Sequence, residues 1–164
     1  TSADENDLKI FKDTNFCQNC DISNAYIYDD HDNGSLLNSF AIKTVFMGSL
    51  MKMNFSGSIM TYCKINNYST IHAQESNFDK VNLSYSEINN TDLSGANFTD
   101  VNLNNSDFYE VNLSDTDFTN ANLTDTTFNK TILIGARLTD EQLQQIKSIQ
   151  CSVMPNGEMN SKGC

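Results

Sequence analysis

From residue 76 to residue 138 a large apolar residue stands at every fifth position: Phe78, Leu83, Ile88, Leu93, Phe98, Leu103, Phe108, Leu113, Phe118, Leu123, Phe128, Leu133 and Leu138. Two places before each is a small or β-branched residue, from Ser76, Val81 and Ser86 through to Thr126, Thr131 and Ala136. The place between is most often Asn or Asp. A helix repeats every 3.6 residues and an ordinary strand every 2, so neither produces a period of five. The pattern predicts a solenoid, in which each unit is a short extended piece followed by a turn and points one large and one small side chain inward. The Asn, Asp, Ser, Thr and Gly of the other places are turn formers.

Four such units close a square coil, and successive coils stack as parallel strands about 4.8 Å apart. Taken at intervals of twenty, the large residues sort into columns. Phe78, Phe98, Phe118 and Leu138 form one, Ile88, Phe108 and Phe128 the opposite one, and leucines alone fill the two between. Ring stacking is expected on two opposing faces. A side-chain amide ladder is expected along Asn82, Asn102 and Asn122.

Upstream the frame weakens but survives, at Cys20–Ile22, Ala25–Ile27, Met53–Phe55, Ser58–Met60 and Cys63–Ile65. These sets are out of register with 76–138, which calls for a loop near 29–36 and smaller irregularities near 47–50 and 68–75. Met47, Met51, Met53 and Met60 read as adaptable core filling where the repeat is imperfect. Open solenoid ends need caps. Residues 4–14 read as an amphipathic helix with acids in its first turn, and "TDEQLQQIKSIQ" as a helix with N-cap Thr139, a capping box through Gln142, and Leu143 and Ile146 toward the last coil. The chain is thus expected to be one domain: 1–16 N-terminal cap, 17–75 irregular coils, 76–138 regular coils, 139–164 helix and tail. About six coils give a rod of roughly 29 Å.

The composition agrees with so small an inward set: hydrophobic residues are only 38%, with no Trp and one Pro. The net charge of −11 argues against direct nucleic-acid or anionic-membrane binding, which need basic surface, and no apolar run is long enough to span a membrane. The charge is uneven. Residues 1–34 and 76–138 each carry a net −6, whereas 35–75 carry a net +2.

"ANFTD", "VNLNN", "ANLTD" and "GARLT" resemble the A(D/N)LXX pattern of the pentapeptide-repeat proteins, over residues 76–138. The resemblance implies an all-β fold, a right-handed quadrilateral β-helix with short helical caps. "TNFCQNCDIS" and the "LTDEQLQQIKSI…MPNG" segment are similar to the two ends of cyanobacterial and lumenal members.

Five cysteines divide by position. Cys63 falls on the small inward place and reads as a buried free thiol. Cys17 and Cys20 form a CxxC beside the N-terminal cap, and Cys151 and Cys164 bracket a polar tail; all four are candidate disulfide cysteines. A bridge across the tail would add about 3 kcal/mol in the chain-entropy model. Such staples suit an oxidising compartment, periplasmic, lumenal or secreted, with the reducing cytoplasm as the alternative. A start at Thr1 without Met fits a cleaved signal peptide and equally an artificial start.

"DDHDNGSL" gathers Asp29, Asp30, His31 and Asp32 on the expected loop, as a solvated acidic turn or a weak cation site. It is no EF-hand, since His31 and Phe40 occupy ligand places. With two histidines and no nucleophile motif or phosphate loop, catalytic residues, cofactors and a metal site are not expected. The expected function is a non-enzymatic scaffold or interaction module for an unidentified protein partner, as a monomer or weak homodimer. The resemblance offers an alternative, an acidic DNA mimic binding gyrase or another type II topoisomerase. A secreted effector acting on host proteins is a third.

Overall fold

Where the structure places the five-residue frame, it winds into a four-faced β-solenoid of parallel strands. The structure is a computed structural model and describes residues 2–164. Parallel bridges define the stack: on the first face Phe16 pairs with Ser35, Ser35 with Asn54, Asn54 with Asn77, and the series runs on through Asn97 and Asp117 to Arg137. Coils 1 to 7 are numbered by the inward residue of this face, namely Cys17, Leu36, Phe55, Phe78, Phe98, Phe118 and Leu138. From Phe78 to Leu138 the register is 20 residues, as at Asn77↔Asn97 and Asn82↔Asn102, and it becomes 21 where the chain passes through the C-terminal helix, at Thr127↔Ser148 and Ile132↔Val153.

The corner chemistry explains the polar places. In most corners the N–H of the small residue donates to the carbonyl of the large residue three places back, as in Val81 to Phe78 (3.1 Å) and Ala121 to Phe118 (2.9 Å). The third residue of the turn is left-handed, for example Lys80 (φ 57°) and Asn120 (φ 58°). Asn and Asp tolerate that region and also supply a carbonyl that folds back on the turn. Thus Asn82 Oδ1 accepts from Ser84 N, Asn102 Oδ1 from Asn104 N, and Asn122 Oδ1 from Thr124 N. The expected ladder along this column does not form: these carbonyls serve their own turns. An amide-to-amide bond joins Asn97 to Asn77 (3.3 Å) instead.

Inside, Phe78, Phe98 and Phe118 stack at 5.1 Å with planes 5–6° apart, and Phe55 extends the column. On the opposite face Phe108 and Phe128 tilt by 48°, so ring stacking is regular on one face only. Buried hydroxyls in the small places reach the carbonyl of the coil before: Thr44 to Ile22, Ser86 to Met60, Ser106 to Leu83 and Thr126 to Leu103. Cys63 sits in this column and points its Sγ at the Ala41 carbonyl (2.7 Å). Burial pushes its thiol up to about 12.

The irregular half keeps the coil and changes one corner. Between coils 1 and 2, and again between coils 2 and 3, the register is 19 (Tyr26↔Val45, Val45↔Lys64), and between coils 3 and 4 it is 23 (Lys64↔Glu87). Every change falls between the third and fourth faces, where Ile27 is followed inward by His31, Phe46 by Leu50 and Ile65 by Ala73. Residues 29–36 thus make no loop: they are one shortened corner and the strand after it. A short corner brings backbones together. A Cβ at Gly48 would stand 2.0 Å from the Asp29 carbonyl oxygen, so only Gly fits there. Met53 and Met60 are core, whereas Met47 is half-buried and Met51 exposed.

Both ends are closed. Helix α1 (Glu5–Thr14), capped by the Asp4 carboxylate, buries Phe11 against coil 1. The N–H of Asp4 donates to the Asp21 carbonyl (2.9 Å), and the N–H of Asp21 donates to the Asp7 carboxylate (2.9 Å). Cys17 and Cys20 are joined by a disulfide just below it. Helix α2 (Asp140–Gln145) carries the expected capping box. Its buried residue is Gln142 rather than Leu143, because the Gln142 amide donates to the Phe118 and Ala121 carbonyls at the end of the stack. The tail then resumes the solenoid: Ser148–Gln150 pairs in parallel with Thr127–Asn129, and Val153 with Ile132. This makes about seven turns rather than six. A hairpin of Ser152–Val153 with Met159–Asn160 covers the last edge, closed by a Cys151–Cys164 disulfide. No helix among the described residues is long and apolar enough to cross a membrane.

Candidate functional site

The outward places of coils 4 to 6 are mostly Asn, Asp, Ser and Thr, the residues the turns require. On the third face of coils 1 to 4 they are not. Tyr26 and Tyr28 project from coil 1, Val45 and Met47 from coil 2, and Lys64 from coil 3. Along the neighbouring corner run Lys43, Tyr62 and Tyr85, all left-handed (φ 56°, 59° and 61°). The left-handed place recurs at most corners, Lys52, Lys80 and Lys130 included, and what differs here is that Lys and Tyr fill it where the later coils hold Asn105 and Asp125. All six tyrosines of the chain are exposed, and all lie on this face or its corners.

Val45 and Met47 are shorter in reach than the tyrosines on either side, and the result is a recess of about 590 Å³. Tyr26, Lys43, Val45, Met47, Tyr62 and Lys64 line it, with Tyr85 and Glu87 at the coil 4 end. Its aromatic walls are paired. Tyr62 stacks on Tyr85 with centroids 5.1 Å apart and planes 10° apart, and Tyr26 on Tyr28 at 6.1 Å and 13°. The irregular corner shapes the rest. The three additional residues of coil 3 push Asn66–Thr70 outward, with Tyr68 fully exposed, over the shortened corners of coils 1 and 2. Two smaller recesses open on either side of that bulge, and Met47 borders all three.

The charge of the site is opposite to that of the chain. Lys64 is bound to Glu87 (3.2 Å), the acid that lines the recess, and Lys43 has no carboxylate within ion-pair distance among the described residues. Elsewhere, Lys52 pairs with Glu75 (3.8 Å).

The acidic cluster is not brought together as a site. His31 is buried and takes the inward place of the fourth face in coil 1, stacked on Phe11 at 4.3 Å. Its Nδ1 lies 2.6 Å from Asn15 Oδ1, and its Nε2 is buried without a partner. Desolvation holds it below the usual histidine range, against the opposing pull of Asp29, Asp30 and Asp32 and with help from Lys12. Asp30 and Asp32 are corner ties: their carboxylates accept from the N–H groups of Ser49 (2.7 Å) and Met51 (2.8 Å) in the next coil. Asp29 is exposed. The solvated turn expected here is therefore solvated only at its edge, because the inward slot of a solenoid end must be filled. No cluster of three or more potential metal ligands stands among the described residues.

Sequence reasoning missed the tyrosine recess. Its signal was available in the corner places, where Tyr62 and Tyr85 replace the Asn and Asp of later coils.

Residues 74–138 match the family model for the pentapeptide repeat region. No curated protein matches the chain. Among solved structures, it is similar to HetL, a pentapeptide repeat protein involved in heterocyst differentiation regulation from the cyanobacterium Nostoc (14% identity, 93% of this chain and 97% of that one, TM-score 0.48). It is also similar to Rfr23, from the cyanobacterium Cyanothece (15%, 91% and 97%, 0.40), and to a protein of the Arabidopsis thaliana thylakoid lumen (18%, 80% and 83%, 0.31).

Proposed function

We propose that this chain, a pentapeptide repeat protein by its residues 74–138, is a non-enzymatic interaction module that docks a partner protein on the third face of coils 1 to 4. The observation that carries this reading is the gathering of exposed tyrosines, two of them in corner places that later coils give to Asn and Asp, around one recess on an otherwise Asn- and Asp-rich rod. Exposed aromatic patches rimmed by polar residues mark interaction surfaces, and Tyr and Met are enriched in interface cores. Two disulfides support export to an oxidising compartment. A DNA mimic draws less support, because Lys43 and Lys64 interrupt the acidic surface.

Affinity capture with quantitative proteomics, wild type against Tyr26→Ser/Tyr62→Ser, tests the docking face. Proteins lost with the double variant support it, and an unchanged set overturns it. Export is tested by counting free thiols in denatured native protein. One thiol rising to five on reduction supports it, and five in both samples overturns it.

A further inference from the structure

The recess has a chemistry more specific than an aromatic patch. Resting on the reading of the third face as a docking surface, we propose that its occupant is an extended acidic segment of a partner protein. One apolar or aromatic side chain of that segment lies on Val45 between Tyr26 and Tyr62, and a neighbouring carboxylate meets Lys43.

The spacing sets the first part. Tyr26 and Tyr62 belong to coils 1 and 3, two strand separations apart, or about 9.6 Å along the axis. Apolar contact needs about 3.5–4 Å on each side, so the slot accepts one side chain touching both walls. Each wall ring is already stacked on a second tyrosine, Tyr28 or Tyr85. Their orientation is fixed before binding, which lowers the ordering cost.

The charge sets the second part. The site has Lys43 unpaired and Glu87 already bound to Lys64, so the recess is electropositive on a chain of net −11. A carboxylate beside the slot completes Lys43, and a basic side chain has no free acid to meet there. The shape sets the third part. The main recess shares Met47 and Asn66 with the smaller recess beside Tyr68, a shallow extension along the surface that suits an extended chain better than a helix, whereas the recess beyond the bulge is bordered by Asp30 and lies outside the acidic segment's path. The solenoid edges lie under α1 and the C-terminal hairpin, so recognition falls to side chains rather than to strand addition.

The test uses the full-length, disulfide-intact protein on an array of ten-residue peptides with graded acidic, basic and aromatic content. The best-retained peptide is then titrated by fluorescence anisotropy. Retained peptides are expected to combine Asp or Glu with Phe, Tyr or Leu. Lys43→Glu should weaken binding about tenfold at low salt and less at high salt. Tyr62→Ala should abolish it, and Tyr109→Ala, on coil 5, should leave it unchanged, all with wild-type melting curves. If the retained peptides are basic or neutral, or Lys43→Glu has no effect while Tyr62→Ala does, the acidic occupant is wrong and the docking face stands. If peptides bind regardless of Tyr62, or none binds while oligothymidine or a glycan does, both fail.

Discussion

Coils 4 to 6 and coils 1 to 3 share one frame and differ in what they do with it. In the later coils every corner has the same length, the rings on the first face stack at 5.1 Å, and the outward places are filled by whatever holds the turn. In the earlier coils the inward face is patched with Met53, Cys63, Ala73 and His31, one corner is shortened twice and lengthened once, and the outward places carry tyrosine and lysine. Regularity accompanies a uniform surface, and departure from it accompanies a shaped one. The difference teaches that the frame tolerates function where its corner geometry can vary without disturbing the inward columns.

The largest expected effect tests the regular half. Phe98→Ala removes a ring stacked on both sides and should cost about 3–5 kcal/mol in urea unfolding. Next comes the staple that closes the far end: Cys151→Ser/Cys164→Ser should lower stability by about 3 kcal/mol in the same assay, as should mild reduction. The shortened corner is probed by Gly48→Ala. It drives a methyl into the Asp29 carbonyl and should cost about 1–3 kcal/mol, against near-neutrality for a Gly95→Asn change in a standard corner.

The patched core also predicts a pH response. Burial lowers the tendency of His31 to take up a proton in the fold, so the unfolded chain binds one more readily. Stability is fully present above the unfolded pKa of about 6.5 and is lost as pH falls below it, by up to about 1.4 kcal/mol per pH unit. Melting between pH 7 and 5 should show this slope, and His31→Phe should flatten it. The smallest effect is expected from the bulge. Deleting residues 67–69 restores a twenty-residue coil and should change stability by no more than about 1 kcal/mol, while removing Tyr68 from the docking path.

How much of this was legible depends on whether the inward pair repeats. Where Phe or Leu follows a small residue at a fixed spacing, the columns, the coil and the Thr139–Gln142 cap can be read directly. The pairing is hidden where the inward slot holds a residue of the wrong kind. His31 reads as part of an acidic turn, because its neighbours Asp29, Asp30 and Asp32 dominate the local composition and the ring that covers it, Phe11, is remote in sequence. The seventh coil was hidden because Lys147 stands in the small place before Ile149 and α2 stands in for one face, which leaves Ser152 and Met154 as a lone small-and-large pair. The recess was hidden because residues of different coils, Tyr26, Lys43, Tyr62 and Tyr85, meet only once the coils are stacked.

The concentration of length changes at one corner also bears on how such a chain can vary over generations. Through coil 6 the other three corners show only exchange of one side chain for another, and a single added residue is taken up only where α2 closes the stack. The fourth accepts loss of one residue or gain of three and passes the frame on intact, as Lys64↔Glu87 shows. New surface can therefore be written at residues 66–70 without editing the rest, which makes that corner a natural graft point for a foreign recognition sequence.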